Sequence, residues 1–176
     1  MRIVSGQLGG RTIKAPKTSG TRPMTDKVRG ALFDVIGSIE GFYILDAYAG
    51  SGAVGFEALS RGAAQVVAIE AGRTAQQAIK QNQKDLQTDW GYLLYPVTVE
   101  NWLAHQSGDR PQFDLIVADP PYEQLKVEVL EKLGQQLKPD GLLVVSRSSR
   151  KPIEPYGLRL VKTKDYGDSS LDFYQQ

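Results

Sequence analysis

From residue 42 onward the chain alternates short apolar runs with amphipathic stretches, and this alternation restricts the fold more than any other feature. The runs FYILDA (42–47), AQVVAIE (64–70), YLLYPVTV (92–99), FDLIVA (113–118) and GLLVVSR (141–147) read as strands. Between them, residues 52–61, residues 73–86, a short segment holding Trp102 and Leu103, and residues 124–137 read as helices. Strands joined through helices form a largely parallel sheet with helices on both faces. Pro96 makes the third run an edge or an irregular strand. Two last runs, 157–167 and 169–175, meet at a Gly-Asp turn and predict an antiparallel hairpin on the sheet edge. Ahead of the alternation, residues 2–16 read as two short strands joined by a glycine turn, followed by a loop. Thr25 then caps a helix with Asp26 in its first turn, Val28, Ala31, Leu32 and Val35 lie on one face, and Gly37 ends it. The expected class is α/β, with residues 1–40 as an N-terminal extension and 41–176 as one compact body.

Composition narrows the chemistry. The 176 residues contain no cysteine and one histidine, His105. Disulfides, thiolate metal sites and cysteine nucleophiles are excluded, and a multi-histidine metal centre or histidine-based triad is not expected. No metal is assigned. No run of apolar residues is long enough to span a bilayer, and the N-terminus lacks the apolar core of a signal peptide, so a cytoplasmic protein is expected. The net charge of +1 hides an asymmetry, because residues 1–30 carry seven Lys/Arg against one acid, Asp26. That fits either an anionic partner met by a basic arm or a solvated extension.

ILDAYAGSGAVG (44–55) places Gly50, Gly52 and Gly55 at a strand-to-helix junction, where glycine allows a tight turn and close approach of a ligand. The pattern alone is weak. Asp46 at the end of the first strand and Glu70 at the end of the second sharpen it. Glu70 can accept the two hydroxyls of a ribose. A carboxylate at Asp46 would repel a dinucleotide's pyrophosphate but would attract an ammonium and a sulfonium. The set therefore favours S-adenosylmethionine over NAD. Val99 and Glu100, at the expected end of the third strand, either border the adenine or simply terminate the strand.

DPPY (119–122) follows the fourth strand, which in this fold class lies beside the first. Asp119 and the Pro120 carbonyl can accept both hydrogens of an exocyclic amino group. The prolines keep the segment open and stiff, and the Tyr122 ring can stack on an extruded base. Such an amine is a poor nucleophile until its lone pair is oriented, and positioning can contribute on the order of 7–11 kcal/mol at the ideal limit. The proton leaves to Asp119 or to solvent.

With these residues in view, RIVSGQLGGRTIKAP, TRPMTDKVRGALFDVIG, LDAYAGSGAVGFEALSRGA and DLIVADPPY together resemble the RsmD-type family of ribosomal RNA methyltransferases. The glycine motif and DPPY are shared by many amino methyltransferases; the N-terminal block is the specific part. The resemblance implies a Rossmann-like, seven-stranded S-adenosylmethionine-dependent methyltransferase sheet with a short hairpin-and-helix extension. It implies methyl transfer to the exocyclic N2 of one guanine in 16S ribosomal RNA, with S-adenosylhomocysteine as product. The RNA is free or part of a small-subunit assembly intermediate. By the same resemblance Arg2, Arg11, Arg22, Lys27 and Arg29 contact the RNA. Met24 and Gly30 depart from the family's usual threonine and glutamate, which bears on substrate contacts rather than on the chemistry. Nothing in the sequence demands more than a monomer.

Two alternatives share parts of this pattern. A DNA or RNA adenine-N6 methyltransferase uses the same acid-proline-proline-tyrosine logic, although a DNA enzyme would need more room for target recognition than about 40 N-terminal residues provide. A non-catalytic S-adenosylmethionine-binding RNA-binding protein would not need Asp119 and Tyr122. His105 is expected in an exposed loop and Trp102 in the core. SRSSRK (146–151) either touches phosphates or is a solvated loop.

Overall fold

The computed structural model describes residues 1–16, 24–106 and 112–176, so the expected loop over 17–23, with Arg22, lies outside the described residues. The elements run α1 (Asp26–Ile36), β1 (Tyr43–Asp46), α2 (Ala53–Ser60), β2 (Gln65–Ile69), α3 (Arg73–Leu86), β3 (Tyr92–Tyr95) and α4 (Val99–Ala104). They continue with β4 (Phe113–Ala118), α5 (Val127–Gly134), β5 (Leu137–Ser148), β6 (Arg159–Tyr166) and β7 (Ser169–Gln175). The sheet order is β3-β2-β1-β4-β5-β7-β6, with β7 antiparallel to both neighbours and all other pairings parallel. Strand order reverses between β1 and β4, where Asp46 pairs with Val117.

Local chemistry accounts for most of these boundaries. The Thr25 hydroxyl accepts from the Val28 N–H, and Gly37 ends α1 at φ 87°. In α3, Ala75, Ile79, Asn82 and Leu86 form one buried stripe, and the intervening polar residues face water. The central strands read as continuous apolar runs because both sheet faces are covered. One face packs Ile44, Val66, Leu115 and Phe173 beneath α1 and α2. The other packs Leu45, Ile116, Leu143 and Tyr174 with Trp102 and Leu133.

Three boundaries differ from the sequence reading. β3 stops at Tyr95, since Pro96 has no N–H for the ladder, and Thr98 then caps α4. Val99 and Glu100 are therefore first-turn residues of α4 and do not end a strand. The helix expected over 124–137 is shorter: Tyr122–Gln124 is a single 3-10 turn closed by Gln124 N–H to the Pro121 carbonyl, and Leu125 and Lys126 are extended before α5. β5 begins at Leu137 rather than 141, with Asp140 at φ 65° and a register shift against β4 absorbing the Pro-Asp-Gly step.

The extension holds one bridge, Arg2 with Thr12, in place of two full strands. It is pinned to α2 and α3 instead. Val4 and Ser5 N–H groups bond the Glu57 carboxylate at 2.6 and 3.1 Å, and Leu8 N–H bonds the Ser60 hydroxyl at 2.9 Å. The Asn82 amide bridges Lys14 in both directions, at 2.9 and 3.0 Å. A β-carbon on Gly6, at φ 82°, would sit 1.8 Å from the Ser60 carbonyl oxygen, so only glycine permits this approach. Ile3, Ile13, Leu32 and Phe33 join the same core as β1 and β2.

Candidate active site

The carboxyl ends of β1, β2 and β4 open into a cleft of about 1700 Å³. Its lining joins the turn after β1 (Tyr48, Gly50, Ser51), Glu70, Glu100, and Asp119 through Tyr122. Asp46, at the end of β1, is buried and does not line the cleft, although its neighbour Ala47 does. The turn is made by Gly50 and Gly52, at φ 55° and 79°. Space is open where a Gly50 β-carbon would stand, whereas at Gly55 a β-carbon would press Tyr92 at 2.7 Å and Val66 at 2.8 Å. The first glycine keeps the cleft open and the last lets α2 pack on the sheet.

The acids are held by backbone amides. Asp46 accepts from the Gly55 N–H at 3.2 Å. Burial, with the nearby charges of Asp119 and Glu70 adding to it, pushes its carboxyl up to about 7 against the single opposing Gly55 bond. Glu70 accepts from Gly50 N–H at 2.7 Å and Gly72 N–H at 2.6 Å, one bond to each oxygen. A carboxylate has about four lone-pair sites, so two acceptor positions remain for hydroxyls. Burial raises the Asp119 carboxyl, and a hydrogen bond with Ser146 on β5 partly offsets it. Tyr122 is 42% exposed and lines the cleft. These features suit a ligand with a cationic group and a diol: open backbone at the turn, free acceptor sites on Glu70, and a poorly solvated acid at the end of β1. S-adenosylmethionine is a ligand of that description.

Other sequence-selected residues have different fates. Val99, the first residue of α4, is nearly fully buried and lines the cleft. Glu100 is on the lining, but its carboxylate pairs with Lys126 at 2.9 Å. Arg29 requires correction: its side chain is 0% exposed, so it cannot touch RNA. It pairs with Asp26 at 2.9 Å, lies 3.6 Å from Glu57, and donates to the Arg2 carbonyl. Arginine in α1 thus serves to anchor the arm. Arg2 and Arg11 are exposed, Arg11 donating to the Asp85 carbonyl at 2.5 Å, and Lys27 is exposed on the cleft wall. Gly30 is buried under Val4, whose nearest atom would lie 3.4 Å from an added β-carbon. His105 is exposed and Trp102 is buried.

Sequence reasoning missed Tyr48 and gave no cleft role to Ser146, the first residue of SRSSRK, or to the β6–β7 turn, 165–169, all of which line the cleft. Burial and the Glu100 charge push the Tyr48 hydroxyl up to about 12. Ser146 had a signal, a hydroxyl at the carboxyl end of a buried strand. The turn had none, because only the β5-β7-β6 order carries it back to the cleft.

Sheet order, the antiparallel β7 and the glycine turn after β1 together define the S-adenosylmethionine-dependent methyltransferase fold. The solved Escherichia coli protein yhhF superposes with a TM-score of 0.87 at 29% identity, over 100% of this chain and 97% of that one. Residues 1–175 match the family described as "Conserved hypothetical protein 95". The chain belongs to that family, the RsmD type. Among its relatives, the Bacillus subtilis protein YlbH is 34% identical over 100% of this chain and 99% of its own. The Haemophilus influenzae "Ribosomal RNA small subunit methyltransferase D" is 32% identical over 99% and 93%.

Proposed function

We propose that the chain transfers a methyl group from S-adenosylmethionine to the exocyclic N2 of a guanine in 16S ribosomal RNA, acting as a monomer. The observation that carries this reading is the single cleft shared by the turn after β1 and the DPPY segment after β4, with Asp46 buried at the end of β1 just before that turn. The Haemophilus influenzae relative, a ribosomal RNA small subunit methyltransferase D, supports ribosomal RNA as the substrate class.

S-adenosylmethionine supplies a sulfonium-bound methyl group, an electrophile open to in-line displacement. Asp46, the Gly50–Gly52 turn and Glu70 hold it. Asp119 and the Pro120 carbonyl accept the two hydrogens of the guanine amino group and aim its lone pair away from them, into the cleft. Tyr122, exposed on the cleft lining, stacks on the extruded base. Burial makes Asp119 a better proton acceptor than an ordinary aspartate, so it or solvent takes the proton released on methylation. Arg2, Arg11 and Lys27 contact phosphates, and Arg22 belongs to the same basic stretch of sequence.

The test uses purified protein, donor with a labelled methyl group, and 16S RNA from cells lacking the protein, free or in small-subunit particles. After digestion to nucleosides, label in N2-methylguanosine is the expected result. Label in N6-methyladenosine overturns the guanine assignment, and binding without transfer overturns the enzymatic one.

A further inference from the structure

β6 is the outer strand of the sheet, and all its residues from Arg159 to Asp165 are exposed. Residues 146–164 contain six Lys/Arg against one acid, Glu154, a basic density the sequence otherwise concentrates in residues 1–30. One of the six, Arg147, is neutralised by Asp172 at 2.5 Å. Lys162 and Lys164 enter no ion pair among the described residues.

Register fixes where these two lysines stand. Lys162 pairs with Phe173 and Lys164 with Leu171. Residues opposite each other on paired strands share a sheet face. Phe173 and Leu171 pack in the core that also holds Ile3, Leu32 and Phe33, so both lysines lie on the face carrying the arm and α1. β6 runs parallel to β5 through two antiparallel steps, which puts Lys164 at the end where the cleft opens. The next turn, 165–169, lines that cleft together with Lys27. Ser149 N–H bonds the Asp168 carbonyl at 3.0 Å, bringing the exposed Arg150 and Lys151 to the same rim. The acids there are Asp165, which accepts from the Ser170 hydroxyl at 2.6 Å, and Asp168.

We propose that Lys162 and Lys164 on the β6 edge, with Arg150 and Lys151 at the rim, form a second RNA-phosphate surface beside the cleft that Lys27 also lines. This rests on the proposed RNA substrate and specifies where else along the rim the strand is held. Phosphate contacts of this kind position a nucleic acid without reading its sequence. Edge strands also carry lysine merely to block pairing with another chain. The two roles separate on charge sign, because glutamate guards an edge as lysine does but repels phosphate.

Binding of deproteinised 16S ribosomal RNA is measured by filter retention between about 50 and 200 mM salt, where phosphate contacts dominate the response. The proteins are wild type, Lys162→Glu/Lys164→Glu and Lys162→Gln/Lys164→Gln. Each lost contact should lower the slope of log affinity against log salt by about 0.7–0.9, so both variants should be flatter by about 1.5, and the glutamate form should bind about ten-fold more weakly at low salt. Calorimetry with S-adenosylhomocysteine should give wild-type affinity in all three, which establishes an intact fold. Wild-type slopes and affinities in both variants overturn the surface and leave the lysines as edge guards. Wild type that binds the RNA but transfers no methyl group overturns the proposed function instead, and the salt dependence still decides the surface.

Discussion

Glu57→Gln changes one atom at the point where the arm, α1 and α2 meet. Glu57 is fully buried and accepts three hydrogen bonds, from Val4 N–H on one oxygen and from Ser5 N–H and Arg61 Nε on the other, with the Arg29 guanidinium 3.6 Å from the first oxygen as a counter-charge. Glutamine offers one oxygen and one NH2. Whichever way the amide turns, its NH2 faces two donors, and the Arg29 guanidinium, 0% exposed, loses its buried counter-charge. Breaking a buried pair from one side costs about 3–5 kcal/mol. Asp26 remains on Arg29 at 2.9 Å but is 43% exposed, so the lower end, about 3 kcal/mol, is expected. That is a large share of a total stability of about 5–15 kcal/mol. At about 2–4 °C per kcal/mol for a chain of this size, Tm should fall by about 6–12 °C. Urea unfolding followed by circular dichroism gives the stability, and amide hydrogen exchange at Val4 and Ser5 should accelerate before global unfolding. Arg29→Met combined with Glu57→Gln should recover part of the loss, since no charge is then stranded. A loss below about 1 kcal/mol with wild-type exchange at Val4 and Ser5 would refute the argument that this carboxylate docks the arm.

Other expectations follow from the cleft. Asp119→Asn should reduce methyl transfer by about 10²–10⁴ while S-adenosylhomocysteine affinity by calorimetry stays within a few-fold, because the amide presents a donor where the amine needs an acceptor. Asp46 has a folded pKa near 7 against an ordinary 3.8, so between those values the folded chain binds more protons and stability falls as pH rises through that window, levelling above it. A ligand with an ammonium group favours the ionised form, so S-adenosylhomocysteine affinity measured across pH should climb through 7, and Asp46→Asn should flatten the climb. Gly55→Ala forces a β-carbon to 2.7 Å from Tyr92 and should cost about 1–3 kcal/mol in urea unfolding, with weaker S-adenosylhomocysteine binding as the turn shifts.

The sequence alone determined the element types, the parallel body with its terminal hairpin, and the residues of the β1 and β4 ends. These follow from local rules: period, glycine at positive φ, proline's missing N–H. The same locality explains the errors at Tyr95, Val127 and Leu137, where a proline turn and a register shift decide the boundary. Tertiary structure decided which charges meet solvent. Arg29 and Lys27 are two residues apart on one helix, yet one is sealed against Glu57 and the other faces the cleft. Charge in a sequence carries no sign of its partner. Asp26 lies three residues before Arg29 on the same helix, but only the packing of α1 on α2 brought the buried Glu57 beside it, and only the β5-β7-β6 order carried Lys164 to the same opening as Asp119.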